Sequence, residues 1–310
     1  MTATAFVFPG QGSQYVGMSA GVVGEHPAGR AALEEAADVL GGGFTELMRQ
    51  GPLELLTLTE TAQPAILAVS VAWLRVLAAE RPSITPVVGA GHSLGEYSAL
   101  VAAGALDFAE ALHLVRLRGR AMQAAVPVGV GTMAAIRGLA PDGCEAVCAQ
   151  VTAAMPGRVV EVAALNSPGQ VVIAGHVDAV TAVVDAAMVA GARAATRLTV
   201  SAPFHCSLLS GAGVRLAEAL AEVTIRPPAW PVHQNVDAAA SSNPDVIRVN
   251  LVSQVSRPVR WEDCVRAMTA AGATRFIEVG PGRTLAGLCR KVDRGIETHS
   301  LDRTGALEKL

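Results

Sequence analysis

The sequence predicts an α/β protein: a mostly parallel sheet with helices on both faces, interrupted by a small ferredoxin-like α+β unit. Three observations carry this. Short apolar strands alternate with longer helical segments towards both ends of the chain. Between residues 128 and 200 the order changes to strand, helix, strand, strand, helix, strand. The chain has 310 residues, 51% apolar and 16% charged, which is enough to bury a sizeable core.

The elements follow in order. Ala5 to Phe8 is a short apolar strand running into Pro9-Gly-Gln-Gly-Ser-Gln14. Ala28 to Leu40 reads as a helix stopped by Gly41-Gly-Gly43, and Thr61 to Ala79 as an apolar helix. Val87 to Ala90 is a buried strand, followed by Gly91-His-Ser-Leu-Gly95 and a helix from Glu96 to Ala105. Phe108 to Val126 is a helix stopped by Pro127. The inserted block has strands at Gly131 to Ile136, Val159 to Leu165, Gln170 to Ala174 and Arg193 to Val200, with helices at Pro141 to Ala154 and Val177 to Gly191. The larger unit then resumes with helices at Leu208 to Val223, Val246 to Val255 and Trp261 to Ala271, a strand at Arg275 to Val279, and a helix from Thr284 to Val292. The expected division is 1–127 with 201–310 as the large unit and 128–200 as the small one.

Composition removes several function classes. A net charge of −3 does not suit a nucleic-acid binder. The five cysteines are odd in number and lack a Cys-x-x-Cys spacing, which fits a reduced, cytoplasmic compartment. Cys144 and Cys148 share a helix face and read as core, so no metal site is expected. The N-terminus lacks a basic segment followed by a long apolar run, and is not read as a signal peptide. The apolar stretch from Ala65 to Ala79 is broken by Arg75 and is too short to span a bilayer. No membrane association is expected.

The strongest chemical signal is Gly91-His92-Ser93-Leu94-Gly95. A strand, a sharp turn and a helix in that order expose a serine hydroxyl above a sheet, and the next backbone N–H, that of Leu94, faces an oxyanion formed there. A serine needs a base. Of seven histidines, His205 in Ser201-Ala-Pro-Phe-His205 is the best placed, because it follows a strand in a loop at the sheet edge. His92 is expected to support the turn. The acid that completes a Ser-His-Asp triad is missing from its expected place, so another group, such as a backbone carbonyl, is expected to orient His205. Pro9-Gly10-Gln11-Gly12 does not match a phosphate-binding loop; its Gln11 backbone N–H is a second candidate oxyanion donor. Arg116, Arg118 and Arg120 lie on one helix, and one of them, if buried in a cleft, would form a clamp for a carboxylate.

Five segments together carry a resemblance: Phe8-Pro-Gly-Gln-Gly-Ser-Gln14, Gly91-His-Ser-Leu-Gly-Glu-Tyr-Ser-Ala-Leu100, Asn166-Ser-Pro-Gly-Gln-Val-Val-Ile-Ala-Gly175, Asn235-Val-Asp237 and Glu278-Val-Gly-Pro-Gly282. From about Ala5 to Val292 the chain resembles the malonyl-CoA:acyl carrier protein transacylases, a family that includes the acyltransferase domains of polyketide synthases. The resemblance implies an α/β-hydrolase-like core with the inserted ferredoxin-like unit. It implies transfer of malonyl from coenzyme A to the phosphopantetheine thiol of an acyl carrier protein, through malonyl-Ser93, with His205 as base. Gln11 and Leu94 match the oxyanion donors, Arg118 the arginine that pairs with the malonyl carboxylate, and Gln254 the residue whose carbonyl orients the histidine. Gln63, Asn166 and Met122 match positions lining the site. Phe204, next to the histidine, resembles malonyl-selective polyketide acyltransferases and implies malonyl over methylmalonyl. No cofactor beyond the acyl donor is implied. The expected enzyme is a free-standing monomer acting in trans, in fatty-acid or polyketide synthesis. Two other readings stay open on the residues alone: a hydrolase that releases the acyl group to water, and a non-catalytic docking partner. Arg283, Arg290 and Lys291 near Gly280-Pro-Gly282 are candidates for a carrier-docking surface.

Overall fold

The computed structural model describes residues 2–303 and 305–310. The chain runs β1 (Thr4–Phe8), α1 (Val22–Glu25), α2 (Pro27–Leu40), α3 (Gly43–Gln50), α4 (Leu53–Thr57), α5 (Thr59–Glu80), β2 (Pro86–Gly91), α6 (Gly95–Ala102) and α7 (Phe108–Ala125). It continues with β3 (Gly131–Arg137), α8 (Pro141–Ala154), β4 (Val160–Ser167), β5 (Gln170–His176), α9 (Val177–Val189) and β6 (Ala194–Arg197). After a 3₁₀ turn at Ser207–Leu209 come α10 (Ser210–Ala221), β7 (Val232–His233), α11 (Pro244–Gln254), α12 (Trp261–Ala270), β8 (Arg275–Val279), α13 (Thr284–Val292) and β9 (Glu297–Leu301).

The larger sheet has the order β7-β2-β1-β8-β9. Every pairing within it is parallel. Helices cover both faces of such a sheet, so its inner strands need unbroken apolar runs rather than alternation. Thr4–Phe8 meets this: all of β1 is buried at the centre of the sheet. α5 is a core helix. It is the one helix among the described residues long and apolar enough to cross a membrane, and 78% of its most apolar window is buried inside the protein. Arg75, which interrupts that apolar stretch, reaches the surface and pairs with Glu35 at 2.7 Å.

The smaller sheet has the order β4-β5-β3-β6 and is antiparallel, the ferredoxin-like arrangement. Its two faces differ by the two-residue period of a strand. Ala134, Ile136, Val171 and Ile173 pack with Cys144 and Cys148 beneath α8 and α9. Met133, Val172 and Ala174 turn the other way and join the main core. The small sheet is also stitched by backbone to the segment between α11 and α12: Leu165 N–H donates to Val259 O, and Val259 N–H donates to Ala163 O, each at 2.9 Å.

Several local expectations are corrected. The strand expected from Arg193 to Val200 is confined to Ala194–Arg197, and Leu198, Thr199 and Val200 beyond it line a cavity. The helix expected from Leu208 begins as a 3₁₀ turn and becomes α-helical at Ser210. Strands β7 and β9 and the short helices α1, α3 and α4 were not foreseen. β7 has two residues, too few for periodicity to register, and β9 (Glu-Thr-His-Ser-Leu) is mostly polar because it forms the sheet edge.

Candidate active site

Ser93 sits between β2 and α6 with φ at 53°, a left-handed conformation that non-glycine residues rarely adopt. Gly91 and Gly95 are required by the close approach of backbone at this turn. Neither needs a positive φ. A Cβ on Gly91 would run into the backbone of Gly95, and a Cβ on Gly95 would run into Phe8 O. They let three chain segments meet closely, and the strain falls on Ser93 itself, a cost of about 1–3 kcal/mol. Polar contacts on either side hold it there. Asn235 Oδ1 accepts from Ser93 N–H at 2.6 Å, and Gln254 Nε2 donates to Ser93 O at 3.1 Å.

His205, also at positive φ (61°), brings its Nε2 to 2.7 Å from Ser93 Oγ. Its Nδ1 lies 2.8 Å from Gln254 O. A carbonyl can only accept, so Nδ1 carries the proton and Nε2 is left to accept from the serine hydroxyl. Burial, and next the charge of Arg118, pull the His205 pKa down to about 3, while the bond to the Gln254 carbonyl opposes this. The imidazole is therefore neutral near pH 7 and able to take a proton. Among the described residues no carboxylate bonds to it. The nearby buried acid, Glu96, instead accepts from Asn235 N–H at 2.8 Å and from Gln254 Nε2 at 2.9 Å.

Three arginines on α7 part company. Arg120 is exposed and pairs with Glu60. Arg116 is partly exposed. Arg118 is 1% exposed. Its Nη1 donates to Gln63 Oε1 at 2.7 Å, and its Nη2 donates to Gln254 Oε1 at 2.8 Å and to Ser93 Oγ at 3.1 Å. Its guanidinium carbon lies 5.5 Å from the centre of the Tyr97 ring. Its Nε has no partner, and no carboxylate bonds to it among the described residues.

These groups open onto a cavity of about 530 Å³ between the two sheets. Gln11 and Leu94 line it, and their backbone N–H groups have no acceptor among the described residues. Gln63, Met122 and Phe204 form part of its wall, with Gln63 Nε2 lying 3.7 Å from Met122 Sδ. His92 Nε2 and Asn166 Oδ1, 2.8 Å apart, link the serine turn to β4 of the small sheet. Burial keeps His92 below its usual pKa, so the neutral ring donates from Nε2 to the amide oxygen.

The chain matches the family model for the acyl transferase domain over residues 5–300. A malonyl CoA-acyl carrier protein transacylase of Escherichia coli K12 is 45% identical over 307 residues, covering 99% of this chain and 98% of that protein. This chain belongs to the acyl transferase family. Among solved structures, the malonyl CoA-acyl carrier protein transacylase of Coxiella burnetii superposes with a TM-score of 0.96 at 42% identity, covering 99% of this chain and 96% of that one. A malonyl-transacylase solved in complex with a type II PKS acyl-carrier protein gives 0.95 at 43% identity, over 99% and 98% of the two chains.

In this acyltransferase the sequence points to Ser93, His205 and three candidate arginines, but to no role for Asn235 or Glu96. Their signal was present: Asn235 opens Asn-Val-Asp237 and Glu96 closes Gly-His-Ser-Leu-Gly-Glu96. Their partners lie too far along the chain for spacing to expose. Ser93 and Asn235 are 142 residues apart. Among the described residues no group of three or more His, Cys, Asp or Glu side chains is placed to hold a metal ion. Arg283 and Arg290 line a separate cavity of about 330 Å³ with Arg303 and Lys309, while Lys291 reaches Gln170.

Proposed function

We propose that this acyltransferase moves a malonyl group from coenzyme A to the phosphopantetheine thiol of an acyl carrier protein, by a ping-pong route through malonyl-Ser93. The observation that carries the reading is Arg118. It is a fully buried cation without a carboxylate partner among the described residues, and it touches the nucleophile itself at 3.1 Å. Burying such a charge is costly unless something pairs with it. A carboxylate one carbon away from the carbonyl under attack fits that place; one on a longer spacer would be carried past it. Relatives at 42–45% identity named malonyl CoA-acyl carrier protein transacylases support the same substrates.

Ser93 Oγ attacks the thioester carbonyl and passes its proton to His205 Nε2, while the Gln254 carbonyl steadies the ring through Nδ1–H. The oxyanion is met by the N–H groups of Gln11 and Leu94, each contributing on the order of 3 kcal/mol. Collapse breaks the C–S bond, and the departing sulfur takes the proton from His205. The carrier thiol then gives its proton to His205 and attacks the malonyl ester, which restores Ser93 Oγ–H. The atoms and charges balance with these groups and the two thiols, so the reaction calls for no metal or redox cofactor. Phe204 narrows the space beside the α-carbon and favours malonyl over methylmalonyl. Arg283, Arg290 and Lys291 are the proposed contact for an acidic carrier.

Intact-protein mass spectrometry tests the reading. Brief mixing with malonyl-CoA should add one malonyl group to the wild type and none to Ser93→Ala, and added carrier protein should take it up. An adduct lost to water with the carrier untouched would make the protein a hydrolase; no adduct would remove malonyl-CoA as the donor.

A further inference from the structure

We propose that Glu96 is a positioning residue that holds the strained serine turn in its reactive conformation, acting through Asn235 and Gln254. The argument starts from Ser93, whose backbone is held in a left-handed conformation. Its N–H is taken by Asn235 Oδ1 and its C=O by Gln254 Nε2. Asn235 also donates from Nδ2 to Gly91 O at 2.7 Å, so one amide spans both sides of His92. Both holders converge on a single atom: Glu96 Oε2 accepts from Asn235 N–H at 2.8 Å and from Gln254 Nε2 at 2.9 Å. The other carboxylate oxygen faces Gln234 Nε2 at 3.4 Å. Glu96, Gln234, Asn235 and Gln254 are all fully buried.

Every neighbour within reach of this carboxylate is a donor, so only an ionised acid satisfies them. An amide in its place must aim an NH₂ at one of the donors. The anion lies in the first turn of α6, where the helix dipole favours it. Burial pushes Glu96 up to about 7, against the pull of its hydrogen bonds and of Arg118. The titratable groups around it are Arg118 from α7, Tyr97 on its own helix and Cys264 from α12; burial keeps the last two in their neutral forms. The same Gln254 side chain that donates to Glu96 accepts from Arg118, so the lock on the serine also aligns the clamp. Ser93 N–H is occupied, which leaves the next one, that of Leu94, for the oxyanion.

The inference rests on the acyl-transfer reading, and the test separates the two. Single-turnover acylation by malonyl-CoA and labelling of Ser93 by a fluorophosphonate are measured for wild type, Glu96→Gln, Asn235→Ala and the double variant, with thermal melting of each. The fluorophosphonate needs only a reactive serine. A wild type that is labelled but takes no malonyl refutes the substrate assignment and leaves the labelling rates to judge Glu96. Each single variant is expected to lose ~10- to 100-fold in both limiting rates, with the half-saturating malonyl-CoA concentration within about threefold of wild type. The double variant should be no slower than the slower single one, because both act on one turn. Should Glu96→Gln fail to fold, Asn235→Ala alone must still show the loss in limiting rate. Wild-type labelling by either folded variant, a loss confined to half-saturation, or single effects that multiply in the double variant would overturn the proposal.

Discussion

The two walls of the cleft are built on different principles. The wall from the parallel sheet carries Ser93, His205 and Arg118, tied into one polar network: Gln254 alone contacts Ser93, Glu96, His205 and Arg118. The wall from the small sheet presents Met133, Ala164, Val172, Leu198 and Val200, with Asn166 as its polar contact to the opposite side through His92. Reactivity depends on fixed dipoles and charges and so belongs on the wall where a network over-determines each position. Recognition of an acyl chain depends on shape and tolerates an apolar surface.

Breaking the polar wall should therefore cost far more than altering the apolar one. Ser93→Ala should lower acylation by ~10⁴-fold or more, read by adduct formation on intact protein. Arg118→Ala leaves a malonyl carboxylate desolvated and unpaired, a loss of about 2–5 kcal/mol in kcat/KM, with a relative gain for acetyl-CoA. Unchanged preference between the two donors would remove Arg118 from the clamp.

A pH profile sharpens the comparison. Glu96, raised to about 7, should lose its proton-free form as pH falls through that value, and acylation should fall with it. His205, lowered to about 3, gives no limb near neutrality. In Glu96→Gln the limb near pH 7 should disappear; its persistence would assign it to another group. Stability moves the other way. An acid whose pKa is raised on folding binds its proton more tightly in the folded state, so Glu96's contribution to stability increases as pH falls from about 7 to the ordinary value of 4.5. Thermal melting across that window, wild type against Glu96→Gln, reads the difference.

Smaller effects are expected at the cavity lining. Phe204→Ala should narrow the preference for malonyl over methylmalonyl by about 1–3 kcal/mol, measured as a ratio of kcat/KM values. Asn166→Ala removes the bond to His92 and should cost about 1 kcal/mol in kcat/KM.

What was legible in the chain follows from range. The strand–turn–helix around Ser93 is local, and so was read directly. The change of element order after Pro127 marked the ferredoxin-like unit because strand, helix and turn each leave a short-range trace. β7 and β9 left none, since one is two residues long and the other is a half-buried, mostly polar edge. The roles of Asn235 and Glu96 were illegible for another reason: an Asn in a loop and a Glu in a first helical turn have the ordinary reading of turn and cap residues.

Sequence by itself determined the α/β class, the serine on its turn, and a histidine without an acidic partner. That Arg118 meets the nucleophile was decided only by the tertiary structure. The helical period puts Arg118 on the side of α7 opposite Arg116 and Arg120, with Val115 and Met122, but a period cannot hold a cation in the interior. Gln63 and Gln254, 55 and 136 residues away, do that by accepting from Arg118 in the interior. A buried cation exists only where distant segments supply its acceptors, and such partners appear when the chain has folded.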